Sequence, residues 1–64
     1  MNTNEWHENT GTVPEGVTAD TALEVMYRDA YKTIWNVGDP VPNDDPEIWE
    51  LRDNAFDVIM YCFL

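Results

Sequence analysis

The uncharged run VIMYCFL, residues 58–64, constrains the fold more than any other feature of this sequence. It stands in a chain with thirteen acidic and three basic residues and a net charge of −10. Apolar side chains gain free energy when they leave water, so other parts of the chain or a partner must cover this run. A chain of 64 residues forms one small domain and can bury only about 60% of its unfolded surface.

The cysteine and histidine counts narrow the ways in which so small a domain is stabilised. The single cysteine excludes an internal disulfide, and one cysteine with one histidine cannot form a four-ligand zinc site. We therefore expect self-association or a partner protein to contribute stability, and we predict a homodimer. The lone thiol suits a reducing cytoplasm, and the sequence shows neither a signal peptide nor an apolar run of about 20 residues that would span a bilayer.

Residues 19–37 show the spacing of an amphipathic helix. Thr21 and Glu24 have the spacing of a capping box, and Gly38 is suited to the position after a helix C-terminus. The competing interpretation is a strand through LEVMYR, residues 23–28, in which apolar side chains alternate. We predict the helix, because its three- and four-residue steps extend further than the alternation. The apolar residues on that helical face are Leu23, Met26, Tyr27, Ala30, Ile34 and Val37.

A second amphipathic helix is predicted over residues 45–63. Residues 38–44 form a connector before it, because their two prolines can continue neither a helix nor a central strand. Asp45 directly before Pro46 is typical of a helix start. The apolar arc of this helix is about 200° wide, twice what a one-sided surface helix needs. Beside its main face lies an apolar flank of Trp49, Phe56, Met60 and Phe63.

The predicted fold is therefore all-α: a helical hairpin with an extended N-terminal arm over residues 1–17. Two helices alone leave the apolar flank uncovered. Either the arm folds over it through Trp6, Val13 and Val17, or the flanks of two chains meet and complete a four-helix bundle. A short β-hairpin around NTG, residues 9–11, is the alternative to an extended arm.

The residues with reactive side chains do not form a catalytic set. His7 has acidic neighbours, but no nucleophile or oxyanion donor accompanies it. Cys62 has apolar neighbours near the end of a predicted helix, which opposes formation of the thiolate. The acidic segment at residues 39–47 lacks the spacing and the turn glycine of an EF-hand loop. We therefore expect a protein that is not an enzyme and that holds no cofactor and no metal.

The acidic row on the second predicted helix is the candidate partner-binding site. Acids spaced at i, i+3 and i+7 lie on one side of a helix and repel each other, which lowers helix stability by a few tenths of a kcal/mol per pair. Binding to a basic surface would account for such a row, and so would solvation of an exposed face. The net charge excludes non-specific binding to nucleic acid or to an anionic membrane. The predicted partner-binding residues are Glu50, Asp53, Asp57, Asp44, Asp45 and Glu47.

In its small size, strong acidity and lack of a catalytic set, the chain resembles the small acidic phage-encoded inhibitors of host nucleic-acid-binding proteins. That class includes uracil-DNA glycosylase inhibitors, anti-restriction proteins and anti-CRISPR proteins, which imitate the charge of DNA or RNA. The resemblance implies a host nucleic-acid-binding protein as the target, with carboxylates standing in for phosphates. The alternative is a structural or assembly module that docks through the apolar flank, with the acids serving only solubility.

Overall fold

A computed structural model describes residues 5–64, and its regular structure is one antiparallel sheet. Four strands lie in the spatial order β1-β4-β2-β3. A single short 3-10 turn at Pro42–Asp44 interrupts the long connection between the third and fourth strands. The strands are β1 Trp6–Glu8, β2 Ala22–Tyr27, β3 Lys32–Asn36 and β4 Val58–Phe63.

The predicted all-α fold is wrong, because residues 5–64 contain no α-helix. Neither the helix over residues 19–37 nor the helix over residues 45–63 forms, and the four-helix bundle that depended on them is excluded with them. The competing strand through LEVMYR is the correct interpretation of that segment, since it coincides closely with β2. In β2, every second side chain is buried, which is the period of a strand with one face on a core.

The turn between β2 and β3 explains why a helical period was visible there. The Ala30 N–H donates to the Tyr27 carbonyl at 2.8 Å, and the Tyr27 N–H donates to the Tyr31 carbonyl at 2.8 Å. Ala30 adopts a left-handed conformation with φ of 74°, as three-residue hairpin loops require. Met26 and Ile34, four residues to either side of Ala30, thus lie on two different strands.

Most of the run VIMYCFL is covered because it forms the central strand β4, whereas Phe63 and Leu64 at its end are 37% and 55% exposed. This strand pairs with β1 on one side and with β2 on the other. Val58 and Cys62 are fully buried, and the pairing slips by one residue where Tyr27 lies opposite Val58. Its two neighbours pair with the backbone of β4, so this apolar run is not an exposed edge strand. Because β1 pairs with β4, the short hairpin around residues 9–11 does not form.

One face of the sheet, the core face, is covered by the connection between β3 and β4, residues 37–57, which we call the cover segment. Ile48 and Trp49 of this segment are buried against the sheet. The Trp49 ring lies 6.3 Å from the Trp35 ring and 5.5 Å from the Tyr61 ring, centroid to centroid. The sheet residues buried in this core are Leu23, Val25, Tyr27, Trp35 and Val58.

The opposite face, the outer face, carries side chains that are half-buried or exposed, apart from the buried Cys62. Residues paired across antiparallel strands share a face, so the register defines its members. Ile34 is 65% exposed, and the Lys32 Nζ lies 5.6 Å from the centroid of the Trp6 ring. The outer face comprises Trp6, Glu8, Ala22, Glu24, Met26, Lys32, Ile34, Asn36, Met60 and Cys62.

A candidate partner-binding groove

A groove of about 250 Å³ lies between the β2–β3 turn and the cover segment. On one side it is bounded by the turn and the start of β3, and on the other by residues near Pro42 and Phe56. A second hollow of about 440 Å³ adjoins it and shares Asn43 and Phe56 with it. The groove is lined by Tyr27, Asp29, Tyr31, Thr33, Pro42, Asn43, Ala55 and Phe56.

Two aromatic side chains in the groove are unusually accessible. Tyr31 is 66% exposed and Phe56 is 63% exposed, although large apolar surface is normally removed from water. The Tyr31 ring is stacked on Tyr27, with centroids 6.1 Å apart and planes 21° apart. Burial raises the pKa of the Tyr27 hydroxyl, and the nearby Tyr31 and Asp45 raise it further. Tyr27 is therefore neutral at physiological pH and supports the Tyr31 ring from the core side.

Asp57 fixes the cover segment to the β2–β3 turn. Its carboxylate is fully buried and accepts a hydrogen bond from Arg28 Nη2 at 2.8 Å. The Arg28 N–H donates to the Asp57 carbonyl at 2.9 Å, and Arg28 Nε donates to the Asn54 carbonyl at 3.2 Å. This pair joins two segments 29 residues apart in the sequence. These contacts hold the β2–β3 turn on one side of the groove and Phe56 on the other.

Backbone amides complete the surroundings of the Asp57 carboxylate. Its oxygens accept from the N–H groups of Arg52 at 3.0 Å, Asp53 at 2.6 Å and Asn54 at 3.3 Å. The Arg28 hydrogen bond lowers the pKa of Asp57 to about 2, and these N–H groups contribute while burial opposes them. A carboxylate bound in this way favours its charged form. Asp57 is therefore a structural anchor of the loop at residues 52–57.

The acidic row predicted from the sequence does not exist, because the helix that would align it is absent. Asp57 points inward, while Glu50 and Asp53 are exposed on an irregular loop. Asp44 and Asp45 line the second hollow, and Glu47 lines a third hollow together with Glu50. The structure therefore places all six predicted residues in the cover segment, but distributes them over several sites.

Arg52 pairs with two of these acids. It forms a short ion pair with Asp45, and its Nε lies 3.8 Å from Glu50 Oε1. The hydrogen bond that Arg52 donates to the Asp45 carboxylate raises the pKa of Arg52. Together with Arg28 and Lys32, this accounts for every basic side chain of lysine and arginine in the chain.

The predicted apolar flank is not a continuous surface either. Trp49 is buried in the core, and Phe56 lines the groove. Met60 belongs to the outer face, whereas Phe63 lies on the core face beside Tyr61, at 5.7 Å between ring centroids. Helical spacing put these four residues on one surface, but two of them lie on β4 and two lie in the irregular cover segment.

Sequence reasoning missed the part of the groove that the β2–β3 turn contributes. Asp29 Oδ1 accepts a hydrogen bond from the Tyr31 N–H at 3.1 Å, which fixes the turn and places both residues at the groove. The signal for this was the segment YRDAY, where two aromatic residues flank a turn-forming aspartate. The helix predicted over residues 19–37 includes this segment.

His7 lies on β1 and Cys62 on β4. The His7 ring stacks on Tyr61 at 5.3 Å between centroids, and Cys62 is buried on β4. Within residues 5–64, no group of three or more metal-binding side chains is present. Over the same range, no helix is long and apolar enough to cross a membrane. Comparisons with protein-family models, with curated proteins and with solved structures found no match.

Proposed function

We propose that this chain is a non-enzymatic binding protein whose acidic surface occupies a basic, nucleic-acid-binding site on another protein. The observation that carries the proposal is the way in which the few cations are used. Arg28 is paired with the buried Asp57, Arg52 with Asp45, and Lys32 lies against Trp6. Within residues 5–64, only three acids, Asp57, Asp45 and Glu50, form salt bridges, and the remaining carboxylates form none.

A surface of this kind attracts basic partners over several ångströms. A net charge of −10 on a particle with a radius of gyration of 11.0 Å repels DNA, RNA and anionic lipid, and it steers association with positive surfaces. Proteins that bind nucleic acid carry such surfaces because they neutralise phosphates with lysine and arginine. The resemblance to phage-encoded inhibitors adds a cytoplasmic host protein as the target. In this proposal, carboxylates of the cover segment replace the phosphates.

The test is competition between the chain and a nucleic acid. Proteins captured from a bacterial lysate on the immobilised chain are purified, and each is then bound to labelled duplex DNA or RNA. We expect the chain to displace the nucleic acid, with an affinity that falls steeply between 50 and 500 mM salt, as the Debye length shortens from about 14 Å to about 4 Å. A captured partner that binds chain and nucleic acid together, or a salt-independent affinity, would overturn the proposal.

Charge-matched variants separate a specific surface from net charge. One variant neutralises three exposed acids of the cover segment, Asp44→Asn, Glu47→Gln and Asp53→Asn. Its control neutralises three exposed acids elsewhere: Glu5→Gln, Glu15→Gln and Asp20→Asn. We expect the cover-segment variant to lose more affinity, mainly through slower association at low salt. Equal losses would show that net charge alone acts.

A second candidate function is assembly of two copies through the outer face. The observation that favours it is the exposure of Ile34 together with the half-buried Met26 and Met60 on a face that is not part of the core. Ile34 also lies on an edge strand, and such strands can pair with another chain. Two copies of a chain with this charge repel each other, so the assembly would strengthen as salt increases.

A further inference from the structure

We propose that the groove between the β2–β3 turn and the cover segment receives an arginine side chain of the partner protein. This inference rests on the proposed function, because it names the part of a basic partner that this chain recognises. The groove would then provide short-range selectivity, while the acidic surface as a whole provides long-range attraction.

The size of the groove favours a single side chain over a free ligand. Its volume of about 250 Å³ lies below the range of about 300–1,000 Å³ that is typical of small-molecule sites. An extended side chain from a protein surface fits a space of this size, and the open second hollow beside it leaves room for the partner's backbone.

The composition of the groove favours a cation. Its described lining contains aromatic rings and one carboxylate, Asp29, and includes no lysine, arginine or histidine. The nearest arginine in sequence, Arg28, is bound to Asp57. The adjoining hollow is lined by Asp44, by Asp45 and by Arg52, whose charge is paired with Asp45. Asp44 thus adds a second carboxylate, and it forms no salt bridge within residues 5–64. The charge at this site is therefore complementary to a positive group.

The exposed rings select arginine in preference to lysine. A guanidinium is planar and less strongly hydrated than an ammonium, so it stacks on aromatic faces and also donates paired hydrogen bonds to a carboxylate. Tyr31 and Phe56 offer such faces, and Asp29 offers the acceptor in the same groove. The hydrogen bond from the Tyr31 N–H orients the Asp29 carboxylate before any partner arrives.

The groove is also held in place before binding. Tyr31 is stacked on the largely buried Tyr27, and the loop that carries Phe56 is fixed by the buried Asp57 carboxylate. In addition, the Phe56 N–H donates to Asn54 Oδ1 at 2.8 Å. A site ordered in advance loses less conformational entropy when it binds.

The experiment is an NMR titration of the ¹⁵N-labelled full chain with a peptide of three Arg-Gly-Gly repeats. The matched control is the same peptide with citrulline, which has nearly the shape of arginine but no charge. We expect saturable shifts at the amides of Tyr31, Asn43 and Phe56 with the arginine peptide, and no saturable shifts with the citrulline peptide. Equal responses to both peptides, or shifts spread evenly over the surface, would overturn the inference.

Variants and a lysine peptide make the test specific. Phe56→Ala should weaken the arginine peptide about fivefold or more, as expected for loss of a cation–π contact. Asp29→Asn retains an oxygen that can accept the Tyr31 N–H, but it removes the charge and one of the two acceptor oxygens, so it should weaken binding about threefold or more at low salt. Asp20→Asn, an exposed acid outside the groove, should leave affinity unchanged. Equal affinity for a Lys-Gly-Gly peptide would overturn the choice of arginine.

The inference and the proposed function fail in distinguishable ways. If the chain displaces nucleic acid from a basic partner but the arginine peptide does not bind the groove, the groove inference is wrong and the proposed function stands. If the peptide binds the groove but the chain never competes with nucleic acid, the proposed function is wrong. The peptide assay needs no identified partner, so its result is independent of the capture experiment.

Discussion

Replacement of Asn9 by alanine should destabilise the whole fold, although Asn9 lies in a segment without regular structure. The side chain is only 4% exposed. Its Nδ2 donates to the Trp49 carbonyl at 3.0 Å and to the Val58 carbonyl at 2.6 Å, and its Oδ1 accepts from the Gly11 N–H at 2.9 Å. One amide group thus joins the arm, the cover segment and the central strand.

The expected magnitude follows from the groups that the substitution leaves unpaired. A typical internal hydrogen bond contributes about 0.5–1.5 kcal/mol, and a buried polar group without a partner costs about 1–3 kcal/mol. With three side-chain hydrogen bonds lost, we expect Asn9→Ala to lower the free energy of unfolding by about 2–4 kcal/mol. At about 0.05–0.15 kcal/mol per residue, a domain of this length has about 3–10 kcal/mol in total.

Urea denaturation followed by tryptophan fluorescence measures this change, since Trp35 and Trp49 are buried reporters. With a slope of about 1 kcal/mol/M, the midpoint should fall by about 2–4 M. Thr10→Ala, an exposed neighbour, is the control and should change stability by less than about 0.5 kcal/mol. If Asn9→Ala were as stable as Thr10→Ala, the assignment of Asn9 as the junction of three segments would be wrong.

A second substitution at the same position gives a pH signature. In Asn9→Asp, a carboxylate replaces the donor that faces two carbonyl oxygens in a buried site. Burial and these carbonyls raise the pKa of the new carboxyl in the folded state, so the folded protein binds more protons than the unfolded one. Its stability should therefore fall as pH rises from about 4 to 7 relative to the unsubstituted chain. No such slope would refute this orientation of the amide.

Three further predictions concern acid stability, turn strain and self-association. The pKa of Asp57 is lowered from 3.8 to about 2, so its stabilising effect is present above pH 3.8 and is lost as pH falls towards 2. Thermal melts of Asp57→Asn should therefore show a lower Tm at pH 7, and its Tm should decrease less than that of the unsubstituted chain between pH 3.8 and pH 2. Ala30→Gly should raise Tm by about 2–4 °C, because glycine relieves a left-handed φ of 74°. Sedimentation equilibrium at high salt should give twice the monomer mass if the outer face self-associates, and Met60→Lys should then restore the monomer; a monomer in both would exclude the homodimer.

The alternation in β2 was visible in the sequence, but a longer helical period outweighed it. Leu23, Val25 and Tyr27 are indeed the buried side of that strand. Met26 and Ile34 are eight positions apart, a spacing that also fits one face of a helix. They share the outer face of the sheet because the chain turns around Ala30 between them. Periodicity counted across a hairpin mixes two strands. Because alanine occupies the left-handed position where glycine is expected, Asp29 was the main local signal for the turn.

The predicted helix starts were real turns that did not continue. Asp45 Oδ1 accepts the Glu47 N–H at 3.1 Å, and the Glu50 N–H donates to the Glu47 carbonyl at 2.9 Å. Thr21 Oγ1 likewise accepts the Thr18 N–H at 2.9 Å. Short polar side chains form these bonds in turns as well as at helix ends, so capping chemistry alone does not establish a helix. Long-range pairing of β4 with β1 and β2 decided the outcome.

The candidate site was predictable only in its chemistry. Net charge indicated basic partners, and Asp44 and Phe56 were already among the predicted contact residues. Their juxtaposition with Tyr31 and Asp29 depends on the Arg28–Asp57 pair, which spans 29 residues and leaves no local trace in the sequence. Asp57 was predicted to contact a partner, but its buried carboxylate binds Arg28 and the backbone of the loop at residues 52–57.

The same ion pair limits how the charge of this protein can be altered. Arg28→Ala would make the surface more negative, but it would also leave the buried Asp57 without its cation and release the loop that carries Phe56. A loss of partner binding in that variant would therefore report on the groove's shape as much as on charge. Removing one partner of a buried pair is destabilising because the remaining charge is uncompensated. Charge and fold are separable only at exposed acids such as Asp44 and Glu47, which form no salt bridge within residues 5–64, and these positions give the cleanest measure of the acidic surface.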